Sequence, residues 1–262
     1  MHSGVKHNDW PERLAKRFKD LTPNANSLRI LDLSKLGMNW GYAKGMYREE
    51  LKPFLHVEEI DLSSNYIDMV AIDFGQFKNL KTINLGFNAF WYWGSYGDCD
   101  LGAEVDSNTV EHLKLNDCGI GCIWMRKPSF DQSLISLDLS YNTYNDDVYV
   151  GHEYPKLLIT RLPKLKWLSL AGNAFPFVSK LNFAPALEEL DLSNNPIVAN
   201  CGELLKLKHL KRLRMCFTEL KKIPRSFLEM TYLERLDLKG HQFESGSKRH
   251  LERTLSNTEV LF

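Results

Sequence analysis

LEELDLSNNPI, residues Leu187 to Ile197, is one of nine copies of a single phrase in this chain. Apolar residues hold relative positions 1, 4, 6 and 11, and a small hydrogen-bonding residue usually holds position 9. The copies open at Leu28, Val57, Leu80, Val110, Leu134, Leu165, Leu187, Leu210 and Leu233. Position 9 is Leu36, Asn65, Asn88, Cys118, Asn142, Asn173, Asn195, Thr218 and His241. Alternation at positions 4 to 6, as in Leu190-Asp191-Leu192, predicts a short strand with one face buried. One such unit cannot bury its apolar side alone, so units must stack, each touching only its neighbours. Position 9 lies where the chain turns and its buried backbone groups need partners, and an Asn amide donates and accepts at once. Thr218 does this in part and Cys118 weakly. Leu36 and His241 depart from the pattern in the first and last full copies, where atypical residues are expected.

These copies resemble the leucine-rich repeat family, whose motif is LxxLxLxxN/CxL, over roughly residues 28–262. The resemblance implies an α/β fold, a leucine-rich repeat solenoid shaped as a curved horseshoe. Its concave side is a parallel β-sheet of nine to ten strands, and its convex segments are helical or irregular. Strands are expected at Leu31, Ile60, Ile83, Leu113, Leu137, Leu168, Leu190, Leu213 and Leu236, with a tenth at Val260. Spacing explains the bend. Paired strands lie about 4.8 Å apart, whereas a helical return segment is about 10 Å across.

The chain reads as one domain: an N-terminal capping helix segment over 1–27, nine repeats over 28–243 and a C-terminal cap over 244–262. Asp9 is expected to N-cap a helix entered through Pro11, with Trp10, Leu14, Phe18 and Leu21 on the face that covers the first repeat. At the other end, HLERTLSNTEVLF reads as a helix, a turn and a last strand with Val260 and Phe262 inward. This closing phrase resembles the terminal half-repeat of many bacterial leucine-rich repeat proteins.

The 262 residues carry 33 basic and 33 acidic side chains. This balance argues against a nucleic-acid binder, whose basic footprint should survive in the totals. No apolar run approaches the length of a membrane span, and the first residues lack the apolar core of a secretory signal. Five scattered cysteines do not make a disulfide scaffold. Two settings fit: the cytoplasm, or delivery as a bacterial effector into a host cell.

The information lies in the irregularities. Successive position-9 residues are 29, 23, 30, 24, 31, 22, 23 and 23 apart, so the first, third and fifth repeats are long. Their extra residues fall within 37–56, 89–109 and 143–164, and should project as neighbouring loops from one edge. These segments hold 12 of the 30 aromatics, among them the run Trp91, Tyr92, Trp93 and Tyr96. Phe90 and Tyr144 are expected in the core, at position 11. Exposed Trp and Tyr rings are the side chains that anchor protein partners. Charge is uneven as well. Residues 91–153 contain 11 acidic and 3 basic side chains, whereas 203–253 contain 13 basic and 7 acidic.

Positions 3 and 5 are expected to face the concave side. They place Trp167, Arg212 and Arg214 there, beside a column of aspartates that reads as filler. Position 8 adds Phe87, Tyr141 and Phe217. In the family these columns commonly bind partners. No catalytic set is expected: His112, Ser136 and Asp138 share a flat strand face, which does not exclude water or offer an oxyanion hole. Cys118 and Cys122 lack a second ligand pair at zinc spacing, and residues 98–108 lack the ligand order of an EF-hand. The expected function is a monomeric, non-enzymatic protein-binding scaffold without metal or cofactor, its partner presenting a basic, partly apolar surface. A carbohydrate or small-ligand receptor using the aromatic loops is the alternative.

Overall fold

Each copy of the phrase forms one three-residue strand, and the strands stack in chain order. The computed structural model describes residues 9–39, 48–68, 72–90, 98–100, 107–120, 122–124, 132–142, 162–178 and 183–262; for 98–100, 122–124 and Arg48 it describes the backbone alone. The strands are β1 Ile30–Asp32, β2 Glu59–Asp61, β3 Thr82–Asn84, β4 Asp98–Asp100, β5 His112–Lys114, β6 Cys122–Trp124, β7 Ser136–Asp138, β8 Trp167–Ser169, β9 Glu189–Asp191, β10 Arg212–Arg214, β11 Arg235–Asp237 and β12 Glu259–Leu261. Ten of them make one sheet in the order β1-β2-β3-β5-β7-β8-β9-β10-β11-β12, with every neighbouring pair parallel. The sheet is the expected one, strand for strand. A single register runs through it, so the repeat positions form straight columns. The central residue of each of the first nine strands is buried, and Val260 closes the row partly buried.

The remaining two strands were not foreseen. β4 lies inside the second long segment and pairs in parallel with β6 from the following repeat, Cys99 opposite Ile123. A small second sheet therefore joins this insertion to the following repeat. In the first long segment, a helical turn at Arg48–Leu51 runs into a 3₁₀ turn at Lys52–Phe54, which buries Leu51 and Phe54. Phe54 stacks on Phe18 at 6.0 Å. Phe90 is buried as its position requires; Tyr144 lies outside the described residues. Opposite the sheet, 3₁₀ turns at Phe74–Gln76, Cys201–Lys206 and Arg225–Glu229 each plug an apolar side chain into one continuous core.

The asparagine column holds the turns. Asn65 Oδ1 accepts the N–H groups of Leu36 and Met38, while its Nδ2 donates to the carbonyls of Leu33 and Leu62. Asn142 does the same between Cys118, Ile120, Leu115 and Leu139. The departures are substitutes. Cys118 donates its thiol to the Leu85 carbonyl at 3.1 Å, and burial pushes that thiol up to about 12. His241 is buried with Nδ1 on the Leu238 carbonyl and Nε2 on the Thr218 hydroxyl, each at 2.8 Å, so one ring does what an amide does elsewhere.

The aspartates at position 5 are more than filler. The side chains of Asp32, Asp61, Asp138 and Asp191 each accept the N–H two residues on, closing the turn that ends the strand. Helix Trp10–Leu21 buries Leu14 and Phe18, with Trp10 and Leu21 packed partly against the core. Asp9 does not cap it. Its carboxylate pairs with Arg13 at 2.6 Å instead, the shorter route for a side chain one turn from a guanidinium. Arg13 and Arg17 reach the carbonyls of Leu36 and Asp32, tying the helix to the first repeat. The C-terminal helix Ser245–Thr254 leads into β12, and Phe262 meets the Phe243 ring edge-on at 6.4 Å.

Candidate functional site

The sheet has two rims, and they differ in kind. Position 2 lines the rim where the strands begin, reading Arg29, Glu58, Lys81, Glu111, Ile135, Lys166, Glu188, Lys211 and Glu234. Apart from Ile135 the charges alternate, and seven of the eight charged residues pair across to a neighbouring strand. Arg29 meets Glu58 at 2.6 Å, Lys81 meets Glu111 at 3.1 Å, and Glu188 lies between Lys166 at 2.9 Å and Lys211 at 2.6 Å. Hydrogen bonds from Lys211 and Lys166 pull the Glu188 carboxyl down to about 2. This rim satisfies itself.

The opposite rim, where the strands end, is built from position 8. From the first repeat to the eighth, the N–H of this residue donates to the next repeat's position-7 carbonyl, extending the ladder past the strand. Keeping that bond while the chain turns requires a left-handed backbone. The position reads Lys35, Ser64, Phe87, Asp117, Tyr141, Gly172, Asn194, Phe217 and Gly240, and every one of these has φ between +51° and +85°. Glycine and asparagine accept that conformation readily; a bulky side chain does not. Phe87, Tyr141 and Phe217 are nevertheless there, with 54%, 57% and 64% of their surface exposed. Strain of this kind costs on the order of 1–3 kcal/mol per residue and persists where the surroundings over-determine it.

Two of the rings lie over glycines. A Cβ added to Gly172 would stand 2.4 Å from Cδ1 of Tyr141, and one added to Gly240 would stand 2.3 Å from Cδ1 of Phe217. Each glycine occupies position 8 of the repeat after its aromatic, so the pair forms a ring seated on bare backbone. This pairing escaped the sequence reading. Its signal was the column itself, in which Tyr141 is followed by Gly172 and Phe217 by Gly240.

On the concave face Trp167 is half-buried, in register with Ser136 and Glu189 on the adjoining strands. Arg212 and Arg214 are exposed there but have partners: Arg212 pairs with Glu189 and lies 3.8 Å from Glu234, and Arg214 lies 3.7 Å from Asp191. His112 and Ser136 are brought together, Nδ1 to Oγ at 2.8 Å, with Glu111 4.0 Å from the other ring nitrogen. The backbone N–H groups of Ile135 and Ser136 both donate to the Glu111 carbonyl, so neither can hold an oxyanion. Trp91, Tyr92, Trp93 and Tyr96 lie outside the described residues. Among the described residues no cluster of His, Cys, Asp and Glu has the form of a metal site, and no helix is long and apolar enough to cross a membrane.

Comparison with known proteins agrees with this architecture. Residues 186–207, the copy that opens at Leu187, match the Leucine Rich Repeat family. No curated protein matches the chain. Among solved structures, 93% of the chain aligns with 30% of a chain in the Drosophila Toll–Spätzle complex, at 20% identity and a TM-score of 0.62. An internalin from Listeria monocytogenes aligns over 95% of this chain and 87% of its own, at 14% identity and a TM-score of 0.49. The chain thus spans less than a third of the Toll–Spätzle chain it matches. With nine repeats on one register, a matched repeat and a shared fold, the chain has the fold of a leucine-rich repeat solenoid.

Proposed function

We propose that the protein is a non-enzymatic scaffold that binds another polypeptide through its concave strand face and the aromatic rim beside it. One observation carries this reading: Phe87, Tyr141 and Phe217 are exposed aromatics at positions where the backbone favours glycine or asparagine. Left-handed strain opposes them, and a partner that covers their rings offsets it. Trp167 extends the apolar surface inward, while Arg212 and Arg214 offer charges that can exchange their present partners. Trp91, Tyr92, Trp93 and Tyr96, which come soon after Phe87 in the sequence, are taken as further contacts for the same partner. The acidic balance of residues 91–153 suits a partner with a basic, partly apolar face, the carboxylates steering and the rings forming the desolvated centre. The Toll–Spätzle complex, a two-protein assembly on the same fold, is consistent with this use. The molecule acts as a monomer with caps at 1–27 and 244–262.

The test is a photo-crosslinker, p-benzoylphenylalanine, installed in turn at Phe87, Tyr141 and Phe217, with Glu229 on the far side as control. Rim positions should capture a polypeptide from native lysate and Glu229 should not. Equal capture at all four positions would contradict the reading. The rings' open faces also suit the apolar face of a sugar, so glycan-array binding without a captured polypeptide would assign the rim to carbohydrate.

A further inference from the structure

Between the rim and the far side of the solenoid, the flank segments of repeats six and seven are bridged, Phe177 pairing in parallel with Ala199. Lys222 holds the same position in repeat eight and makes no such bridge. Two local features part the chains here. Asn200, at φ +63°, turns its segment into the 3₁₀ helix Cys201–Lys206, and Pro224 has no N–H to donate across the gap. A cleft of about 640 Å³ opens between residues 198–202 and 219–226. Val198, Leu220, Ile223 and Pro224 give it an aliphatic lining, with Val198 43% exposed. Lys221, Lys222 and Arg225 stand around it and Glu219 is the one carboxylate among the lining residues.

These three cations differ from those on the adjoining strands. Arg212, Arg214, Arg235, Lys211 and Lys239 all pair with carboxylates. Among the described residues, Lys221, Lys222 and Arg225 make no ion pair, and the main-chain groups of Lys221 and Lys222 make no hydrogen bond. An aliphatic lining, a surplus of unpaired positive charge and free main-chain donors and acceptors occur together. We propose that this cleft is a second binding site, which takes an acidic polypeptide segment carrying aliphatic side chains. The aliphatic groups enter between the two flank segments, the carboxylates meet Lys221, Lys222 and Arg225, and the segment's backbone pairs with the main chain at Lys221–Lys222, where the bridge between repeats is missing. The lining holds no aromatic ring on which a base or a sugar would stack.

The probe is a fluorescein-labelled octapeptide of alternating glutamate and leucine, titrated against the full chain by fluorescence anisotropy. Gly202 lines the cleft, has an ordinary φ, and a Cβ there meets nothing within 4 Å, so Gly202→Trp introduces a bulky ring at the site where the backbone has room for a side chain. The variant's far-UV circular dichroism and melting temperature should match those of the parent chain. The double variant Lys221→Glu/Lys222→Glu alters only exposed, unpaired side chains. Saturable binding is expected, weakened by about tenfold or more in each variant, in a glutamate–serine peptide and in a lysine–leucine peptide, as the loss of an anchor requires. Equal affinity for the Gly202→Trp protein, equal affinity for the glutamate–serine peptide, or binding to phosphatidylserine vesicles in place of the peptide would each overturn the assignment.

Discussion

At the scale of the residue, the interior polar column is the most demanding part of the molecule. Asn142 is 7% exposed and makes hydrogen bonds to five backbone groups in two repeats. Asn142→Ala strands those groups away from water and should cost about 1–3 kcal/mol. Asp61 closes one turn from the half-exposed strand face through a single bond to the Ser63 N–H, so Asp61→Ala should cost about 0.5–1 kcal/mol. Urea melts of the two variants measure the difference, and equal losses would show that inside and outside are wrongly assigned. The asparagine column was legible in the sequence because a buried turn demands a group that donates and accepts at one position. The work of Asp61 was not. A carboxylate on an open face looks the same in the sequence whether it is solvated or closing a turn, and only the turn geometry separates the two.

At the scale of the element, each strand contributes three residues and two rims, and the rims are held differently. Alternating charge on the entry rim ties β1 to β2, β3 to β5 and β9 to both β8 and β10, and exposure and salt keep such pairs weak one by one. Glu188 makes the arrangement measurable. Its carboxyl is lowered to about 2 because Lys211 and Lys166 hydrogen-bond the ionised form. Its contribution is therefore complete above the ordinary glutamate value near 4.5 and is lost as pH falls through about 2. A carbon-13 titration should find that midpoint, and Lys211→Met should move it up; an unmoved midpoint would remove Lys211 as the cause. This rim is written in the sequence, since its column alternates in sign, but position 2 carries no apolar residue in eight of its nine copies and so does not share the period that marks the core. The left-handed exit rim was less accessible. Gly172, Asn194 and Gly240 hint at it, whereas Lys35, Ser64 and Asp117 conceal it, because the ladder rather than the side chain fixes that backbone. β4 and β6 were hidden for a third reason: a single isolated pair has no period.

At the scale of the whole molecule, stacking makes stability a sum over neighbours, so each end needs its cover. Phe18 is buried between helix Trp10–Leu21 and the first repeats, against Phe54. Phe18→Ala should cost about 3–5 kcal/mol and be felt locally: hydrogen exchange should quicken at β1 and β2 and stay unchanged from β9 to β12. Uniform acceleration would mean that the ten strands open as one unit. The same additivity lets the rim be altered without unfolding the array, and the central claim rests there. The triple variant Phe87→Asn/Tyr141→Asn/Phe217→Asn installs at each site the residue that Asn194 already places in this conformation at φ +56°. Its unfolding free energy and its capture of the polypeptide partner should be measured on one preparation. Relief of left-handed strain predicts equal or greater stability together with loss of capture; lower stability with undiminished capture would show that these rings serve the fold and not a partner.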